Sequence, residues 1–233
     1  DGVYVENIDI SKPHLTIKSE NGSANCIIDA SNSGNVITIT ADGVTIQGFT
    51  IRNSGNWCGG IKVFSNNNTI VGNNISNNYD GIFLKEGSSN NTITKNNIYN
   101  NSHGIVIVFG SNNLIFLNNF VGNDGHAYID YPAYNNTWNS TEPIAYVYRG
   151  NTYTNYLGNY WDDYTGEDAN GDGIGDRPYI IDYFSELNII DEDYRPLMQP
   201  WEKYFASTPT PTPTKITIDV YNAYKVPMPS CGG

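Results

Sequence analysis

Asn68-Thr69-Ile70-Val71-Gly72-Asn73-Asn74-Ile75, Asn91-Thr92-Ile93-Thr94-Lys95-Asn96-Asn97-Ile98 and Asn113-Leu114-Ile115-Phe116-Leu117-Asn118-Asn119-Phe120 are three copies of one pattern. A looser copy precedes them at Val44-Thr45-Ile46-Gln47-Gly48-Phe49-Thr50-Ile51, so the spacings run 24, 23 and 22. A second run recurs in step: Gly60-Ile61-Lys62-Val63, Gly81-Ile82-Phe83-Leu84 and Gly104-Ile105-Val106-Ile107. Each copy therefore holds two or three short strands separated by Asn/Gly turns. Strands this short cannot bury a face alone. A coil that returns to its start sets each strand beside the next copy of itself, in parallel and about 4.8 Å away. Period-2 alternation then turns Ile61 and Val63, Ile82 and Leu84, and Ile105 and Ile107 inward. Ile70, Ile93 and Ile115 fill a second wall, and Ile75, Ile98 and Phe120 a third. Asn tolerates the left-handed turn conformation, and its amide can bond along a stack of identical turns. Asn74, Asn97 and Asn119 are accordingly expected to form a ladder. Leucine-rich repeats share the period but need a Leu pattern that is missing, and propeller blades need about 40 residues. The expected fold is all-β, a right-handed parallel β-helix with coils of about 22 residues.

The rest of the composition agrees. Of 233 residues, 34 are Asn and 23 Gly, which leaves no long stretch of good helix formers. Charged residues make up 15%, and the net charge of −12 argues against a nucleic-acid partner. No apolar run approaches the roughly 20 residues of a membrane helix. With 13% aromatics and many Ile, the chain can fill a core and is not disordered. Seven Asn-x-Ser/Thr sites, at Asn21, Asn67, Asn74, Asn90, Asn100, Asn135 and Asn139, suit an exported, extracellular or cell-surface glycoprotein, although a ladder would make Asn74 a poor acceptor. The start in strand-like sequence, Val3-Tyr4-Val5, leads us to expect that a signal or an earlier coil has been removed. Cys26 and Cys58 can either pair or remain small buried hydrophobes, with Cys231 left over.

The coils are expected over residues 1–134. From about Asn135 the period fades and Trp138, Tyr146, Tyr148, Tyr153, Tyr156, Tyr160 and Trp161 crowd together. Residues 135–205 read as terminal coils and a cap, which a solenoid needs because its last coil exposes strand edges and core. Packing is the favoured role of these aromatics. The cap is acidic and contains Asp168-Ala169-Asn170-Gly171-Asp172-Gly173-Ile174-Gly175-Asp176. Oxygen-bearing side chains at alternate positions, Gly at the sharp turn and the Ile174 carbonyl make the front of a calcium loop. Asp168, Asn170, Asp172, Ile174 and Asp176 are thus the candidate metal ligands, for a structural calcium. The usual Glu at the twelfth position is replaced by Tyr179, so Asp182, Asp162, Asp163 or water must complete the shell. Residues 206–214, with alternating Thr-Pro, read as a stiff linker, and 215–233 as the start of a further, truncated module.

Asp1-Gly2-Val3-Tyr4-Val5-Glu6-Asn7-Ile8, Leu15-Thr16-Ile17 and Ile27-Ile28-Asp29 resemble the first coils of NosD-like β-helix proteins, also called carbohydrate-binding and sugar-hydrolysis domains. Leu157-Gly158-Asn159-Tyr160-Trp161-Asp162-Asp163-Tyr164-Thr165-Gly166 and Asp172-Gly173-Ile174-Gly175-Asp176-Arg177-Pro178-Tyr179 are similar to the end segment of such proteins on archaeal cell surfaces. The resemblance covers about residues 1–202 and implies a β-helix of the pectate-lyase type. The NosD name also implies copper, which wants His, Cys or Met at close quarters. His103 and His126 read as two surface histidines one coil apart, and Met198 and Met228 lie outside the coils, so no copper is inferred.

The repeat also exposes the outer face of one sheet to reading. One outward column is Thr38, Lys62, Phe83, Val106 and Tyr128; the next is Thr40, Phe64, Lys85, Val108 and Asp130. A glycoside hydrolase needs two carboxyls about 5–9.5 Å apart, and no such pair falls on adjacent coils. The turn before each Gly carries Trp57, Tyr79, Asp80 and His103. Trp57 and Tyr79 could hold a sugar ring, and Asp80 with His103 is the weak catalytic alternative. The apolar strip of Phe64, Phe83, Val106 and Val108 is expected to be covered, by residues 184–205 or by a partner. The favoured function is a non-catalytic exported module that binds a polysaccharide or surface glycan, or builds an outer layer against neighbouring surface-layer or same-chain modules. The rival is a polysaccharide-active lyase or hydrolase using the outer sheet face.

Overall fold

The computed structural model describes residues 1–85, 87–130, 133–184 and 189–205, with backbone alone for 182–184, 189 and 190. The linker and further module expected at 206–214 and 215–233, with Cys231 and Met228, lie outside the described residues. Three parallel sheets wrap one core. The seven-stranded sheet stacks Gly2–Val5, Cys26–Asp29, Thr50–Arg52, Asn74–Ser76, Asn97–Tyr99, Asn119–Val121 and Tyr160–Trp161. The six-stranded sheet stacks Ile8–Ile10, Ile37–Ile39, Gly59–Val63, Asp80–Leu84, His103–Val108 and Gly125–Asp130. The five-stranded sheet runs from Thr16–Lys18 to Leu114–Phe116. This is the parallel β-helix that the period implies. The described residues contain one 3₁₀ turn, Trp201–Tyr204, and no helix long and apolar enough to cross a membrane.

Register follows the repeat. Ile61 pairs with Ile82 and Ile82 with Ile105; Ile70 pairs with Ile93 and Ile93 with Ile115. Ile51, Ile75, Ile98 and Phe120 make the third wall, and all of these side chains are fully buried. The core continues into the cap as a stack of rings. Phe120 lies on Trp161 and Trp161 on Tyr179, each at 4.3 Å between centroids. Trp138, Tyr146 and Tyr148 are buried as well, which gives most of the cap aromatics the packing role. Two antiparallel hairpins, Ile144–Tyr148 with Asn151–Asn155 and Tyr179–Phe184 with Ile189–Asp193, form the cap.

The Asn-Asn pairs turn out to build the corners. In Asn67-Asn68, Asn77-Asn78, Asn90-Asn91, Asn100-Asn101, Asn112-Asn113 and Asn135-Asn136 the first residue is left-handed, with φ between 54° and 58°. The second turns inward and bonds to its counterpart on the next coil. One ladder runs Asn68, Asn91, Asn113, Asn136; another Asn73, Asn96, Asn118, Asn159; a third Asn78, Asn101, Asn123. In each rung the Oδ1 accepts both the backbone N–H and the Nδ2 of the rung before. The expected Asn74, Asn97, Asn119 ladder is also present, on the outer face, at 3.2 and 2.6 Å. The second ladder ends on Asp193, which is fully buried and accepts from Asn159 N, Asn159 Nδ2 and Trp161 Nε1 through Oδ2 and from Arg195 N through Oδ1. An acceptor-only group suits the last rung, where four N–H donors converge. Cys26 and Cys58 are free thiols.

Candidate functional site

Trp57, Tyr79, His103 and Tyr128 stand one per coil beside the six-stranded sheet. Their ring centroids follow one another at 4.5, 5.5 and 6.2 Å. Together with Asp80, Phe83, Val106 and Val108 they line a shallow groove of about 220 Å³. Four residues singled out from the sequence, Trp57, Tyr79, Asp80 and His103, therefore meet in one place. Trp57 is 75% exposed and sits at a φ of 60°. A bulky side chain held left-handed costs about 1–2 kcal/mol, and such strain concentrates at functional positions. The indole is thus presented to solvent at a conformational cost that no core packing offsets.

Parallel pairing sets Asp80 beside His103, and the carboxylate meets Nδ1 at 2.9 Å. Asp80 is buried while His103 is half-exposed. Burial pushes the Asp80 carboxyl above its usual range, opposed by the His103 hydrogen bond and by the charges of His103 and Lys62. With Nδ1 committed to Asp80, Nε2 is the remaining nitrogen. Among the described residues, Asp80 is the one carboxylate lining the groove. The pair can orient an imidazole as a base, but the second carboxyl of a glycosidase has no counterpart there.

The described residues of 184–205 do not cover the apolar strip. Leu197 bridges Tyr160 and Ile174, and Trp201 N and Glu202 bond to Asn119 on the seven-stranded sheet. The described part of 184–205 thus lies away from the strip, because its strand and turn continue the corner and cap bonding. Lysines lie over the strip instead. Lys62 Nζ is 4.7 Å from the Phe83 centroid and 5.9 Å from that of Phe64, and Lys85 Nζ is 5.4 Å from Phe64.

His126 is not the surface residue that its spacing from His103 implied. His103 pairs with Gly125, so His126 is one residue past the position in step with it, and one residue puts a side chain on the other face. His126 is buried, and its Nε2 lies 2.8 Å from Asp162 and 3.4 Å from Asp163. Among the described residues, this is the trio of His, Cys, Asp or Glu whose ligand atoms all lie within 4.8 Å of one another, and it could hold a metal ion. Its donors are one imidazole and two carboxylates, without sulfur. The Asn123 amide also constrains the ring. Its Oδ1 is taken by Asn101 and its Nδ2 faces Nδ1 of His126 at 3.3 Å, so Nδ1 accepts and Nε2 carries the hydrogen toward Asp162. That tautomer is an internal strut rather than a ready ligand. His126 is buried while His103 is half-exposed on the outer wall, and Met198 packs with the cap cluster, so these three residues are not gathered at one point.

In the Asp168–Asp176 loop, each side chain turns onto loop backbone. Asp168 accepts from Asp172 N and Gly173 N, Asn170 from Asp172 N, Asp172 from Ile174 N, and Asp176 from Ala169 N, at 2.8–3.0 Å. Tyr146 and Tyr153 donate to the Asp172 and Gly171 carbonyls and fasten the loop to the cap. Ile174 is buried and bridges Leu197. Asp162 and Asp163, named as possible extra ligands, are instead engaged with His126, Gly122 N and Tyr179. The side chain of Asp182 lies outside the described residues.

The signal for His126, Asp162 and Asp163 was weak in the sequence, since the residues are separated by 36 positions and the cap has no period. No curated protein and no solved structure significantly matches the chain. A family model described as "Periplasmic copper-binding protein (NosD)" matches residues 2–166, which include all the coils. By that match, over well more than half its length, the chain belongs to the NosD family.

Proposed function

We propose that the protein is a non-catalytic, carbohydrate-binding β-helix module of an exported protein, with the glycan lying along the groove beside Trp57, Tyr79, His103 and Tyr128. The observation that carries this reading is the chain of ring contacts across successive coils, Trp57 to Tyr79 to His103, with Tyr128 of the next outward column against His103, and with the largest ring exposed. Rings bury the apolar faces of pyranoses at little entropic cost, and Asp80 and His103 offer hydrogen-bonding groups at the same wall. The periplasmic description of the family supports export, to the periplasm or the cell surface. In that setting, the exposed sequon residues Asn21, Asn67, Asn90, Asn100 and Asn135 are able to carry a glycan; next to the last four, it is the following Asn that enters the inner ladder. Calcium bound by Asp168, Asn170, Asp172, Asp176 and the Ile174 carbonyl would be structural, closing the loop over the cap.

The bonded Asp80–His103 pair favours one second reading, an enzyme acting on the bound polysaccharide with the imidazole as base. A glycan-binding screen combined with a depolymerisation assay separates the two. The module reading expects binding without chain cleavage, lost in Trp57→Ala and Tyr79→Ala. It is overturned if no glycan binds, and replaced by the enzyme reading if cleavage occurs and His103→Gln abolishes it while binding persists.

A further inference from the structure

We infer that the glycan taken by this groove is anionic, a carboxylated polysaccharide whose acid groups meet Lys62 and Lys85; this rests on the glycan-binding reading above. The protein is strongly acidic, with 12 Lys and Arg against 24 Asp and Glu. Yet two lysines on successive coils flank the groove. Lys62 pairs in register with Phe83, a groove-lining residue, and its ammonium hangs over that ring. Lys85 stands in the outward column between Phe64 and Val108, and Val108 also lines the groove. Among the described residues, the carboxylate that lines the groove, Asp80, is buried and bonded to His103, with the Lys62 charge also acting on it. The groove therefore has an aromatic wall, an apolar floor of Phe83, Val106 and Val108, and a cationic rim.

That arrangement matches the amphipathic shape of a uronate-type residue, with an apolar ring face and a carboxylate projecting from its edge. A neutral sugar would use the wall and floor but leave both ammonium groups without a role in recognition. The simpler alternative is that each lysine only lays its aliphatic stem across Phe64 and Phe83 to shield them. Charge and stem can be separated, because Met keeps an unbranched apolar chain and removes the cation.

The test compares oligogalacturonate with its fully methyl-esterified form, which has the same rings and no charge. Titration calorimetry is run at low and at high salt on the intact protein, Lys62→Met, Lys85→Met and the double variant. The acid form is expected to bind more tightly than the ester. Each single substitution should weaken only the acid form, by about two- to fivefold, as for exposed ion pairs. The acid–ester difference should vanish in the double variant and in about 1 M salt, where the screening length is near 3 Å. Equal binding of acid and ester overturns the anionic inference and leaves the glycan-binding reading standing. If neither form nor any neutral glycan binds, the glycan-binding reading itself falls.

Discussion

Replacing Asn96 by Ala should destabilise the protein far more than replacing its neighbour Asn97. Asn96 is fully buried. Its Oδ1 accepts from Asn73 N at 3.0 Å and Asn73 Nδ2 at 3.1 Å, and its Nδ2 reaches Ile70 O, Thr94 O and Asn118 Oδ1 at 2.9–3.1 Å. Truncation leaves the buried Asn73 N–H without its acceptor, a penalty of about 1–3 kcal/mol. Asn73 Nδ2 keeps Ile46 O and Asn118 Oδ1 keeps Asn96 N, so those groups are weakened rather than orphaned. Two or three further bonds at about 0.5–1.5 kcal/mol each bring the expected loss to roughly 2–7 kcal/mol. Asn97, on the outer face, makes one bond to Asn74 and one from Asn119 and is half-buried. Its Ala variant should cost about 1 kcal/mol.

The assay is equilibrium urea unfolding followed by far-UV circular dichroism and by Trp fluorescence. Both probes are needed because a solenoid weakened at a middle coil can lose cooperativity between its ends. Water could enter the space left by Ala and relay a hydrogen bond. Asn96→Leu fills that space with apolar atoms and should be at least as destabilising. A loss below about 1 kcal/mol for both Asn96 variants, or equal losses at positions 96 and 97, would refute the ladder as the source of corner stability.

Trp57→Gly should act in opposite directions on stability and binding: relief of the left-handed strain should raise stability by up to about 1 kcal/mol, while glycan binding is lost. A fall in stability of similar size in thermal melts would mean the indole is a packing group. Burial raises the Asp193 carboxyl from its ordinary 3.8 to about 6, with its hydrogen bonds opposing. A folded value above the unfolded one gives stability that is complete below about pH 4 and lost as pH rises through 6. Relative to Asp193→Asn, the wild type should therefore lose a few kcal/mol between those limits, and parallel stability curves for the two would show no linkage. Calcium should raise the thermal midpoint of the wild type and chelator lower it, with no response in Asp172→Ala. At a hundredfold excess over Kd the gain is about 2.7 kcal/mol. An unchanged midpoint and no heat of calcium binding would leave the loop as an acidic turn.

The coils were legible because in a solenoid one period encodes strand, inward face and register together. Once Ile61, Ile82 and Ile105 are aligned in sequence, they are aligned in space. The same alignment brought Trp57, Tyr79, Asp80 and His103 to one edge, since residues in step become neighbours. Where two residues are not in step, likeness of type misleads: His126 lies 23 residues after His103, one more than the 22-residue step that pairs the strands, so it follows the partner Gly125 and faces inward. The inner ladders hid behind the Asn-Asn pairs, because sequence does not say which member of a pair takes the left-handed turn and which enters the core. Asp193 and the His126 trio were beyond reach, as their contacts join the coils to a cap that has no repeat.

The ladders also bear on where function can sit. Corner bonds and inward Ile columns fix each coil through residues that face the core or the turn. Outward positions such as Lys62, Phe83, Val106 and Tyr128 share one column but have four different side chains. The backbone there is already held by pairing on both sides for Lys62, Phe83 and Val106, so a change of side chain leaves the ladder bonds in place. A surface built this way can vary its ligand chemistry coil by coil at little cost to the fold. Trp57 sits in a turn at a left-handed φ, as do His14, Lys95, Phe109, Leu117 and Arg149; what sets it apart is a ring that is 75% exposed beside Tyr79. Its exposed ring, next to Tyr79 and, beyond it, His103, makes Trp57 the position at which loss of glycan binding with gain of stability most directly tests the proposed site.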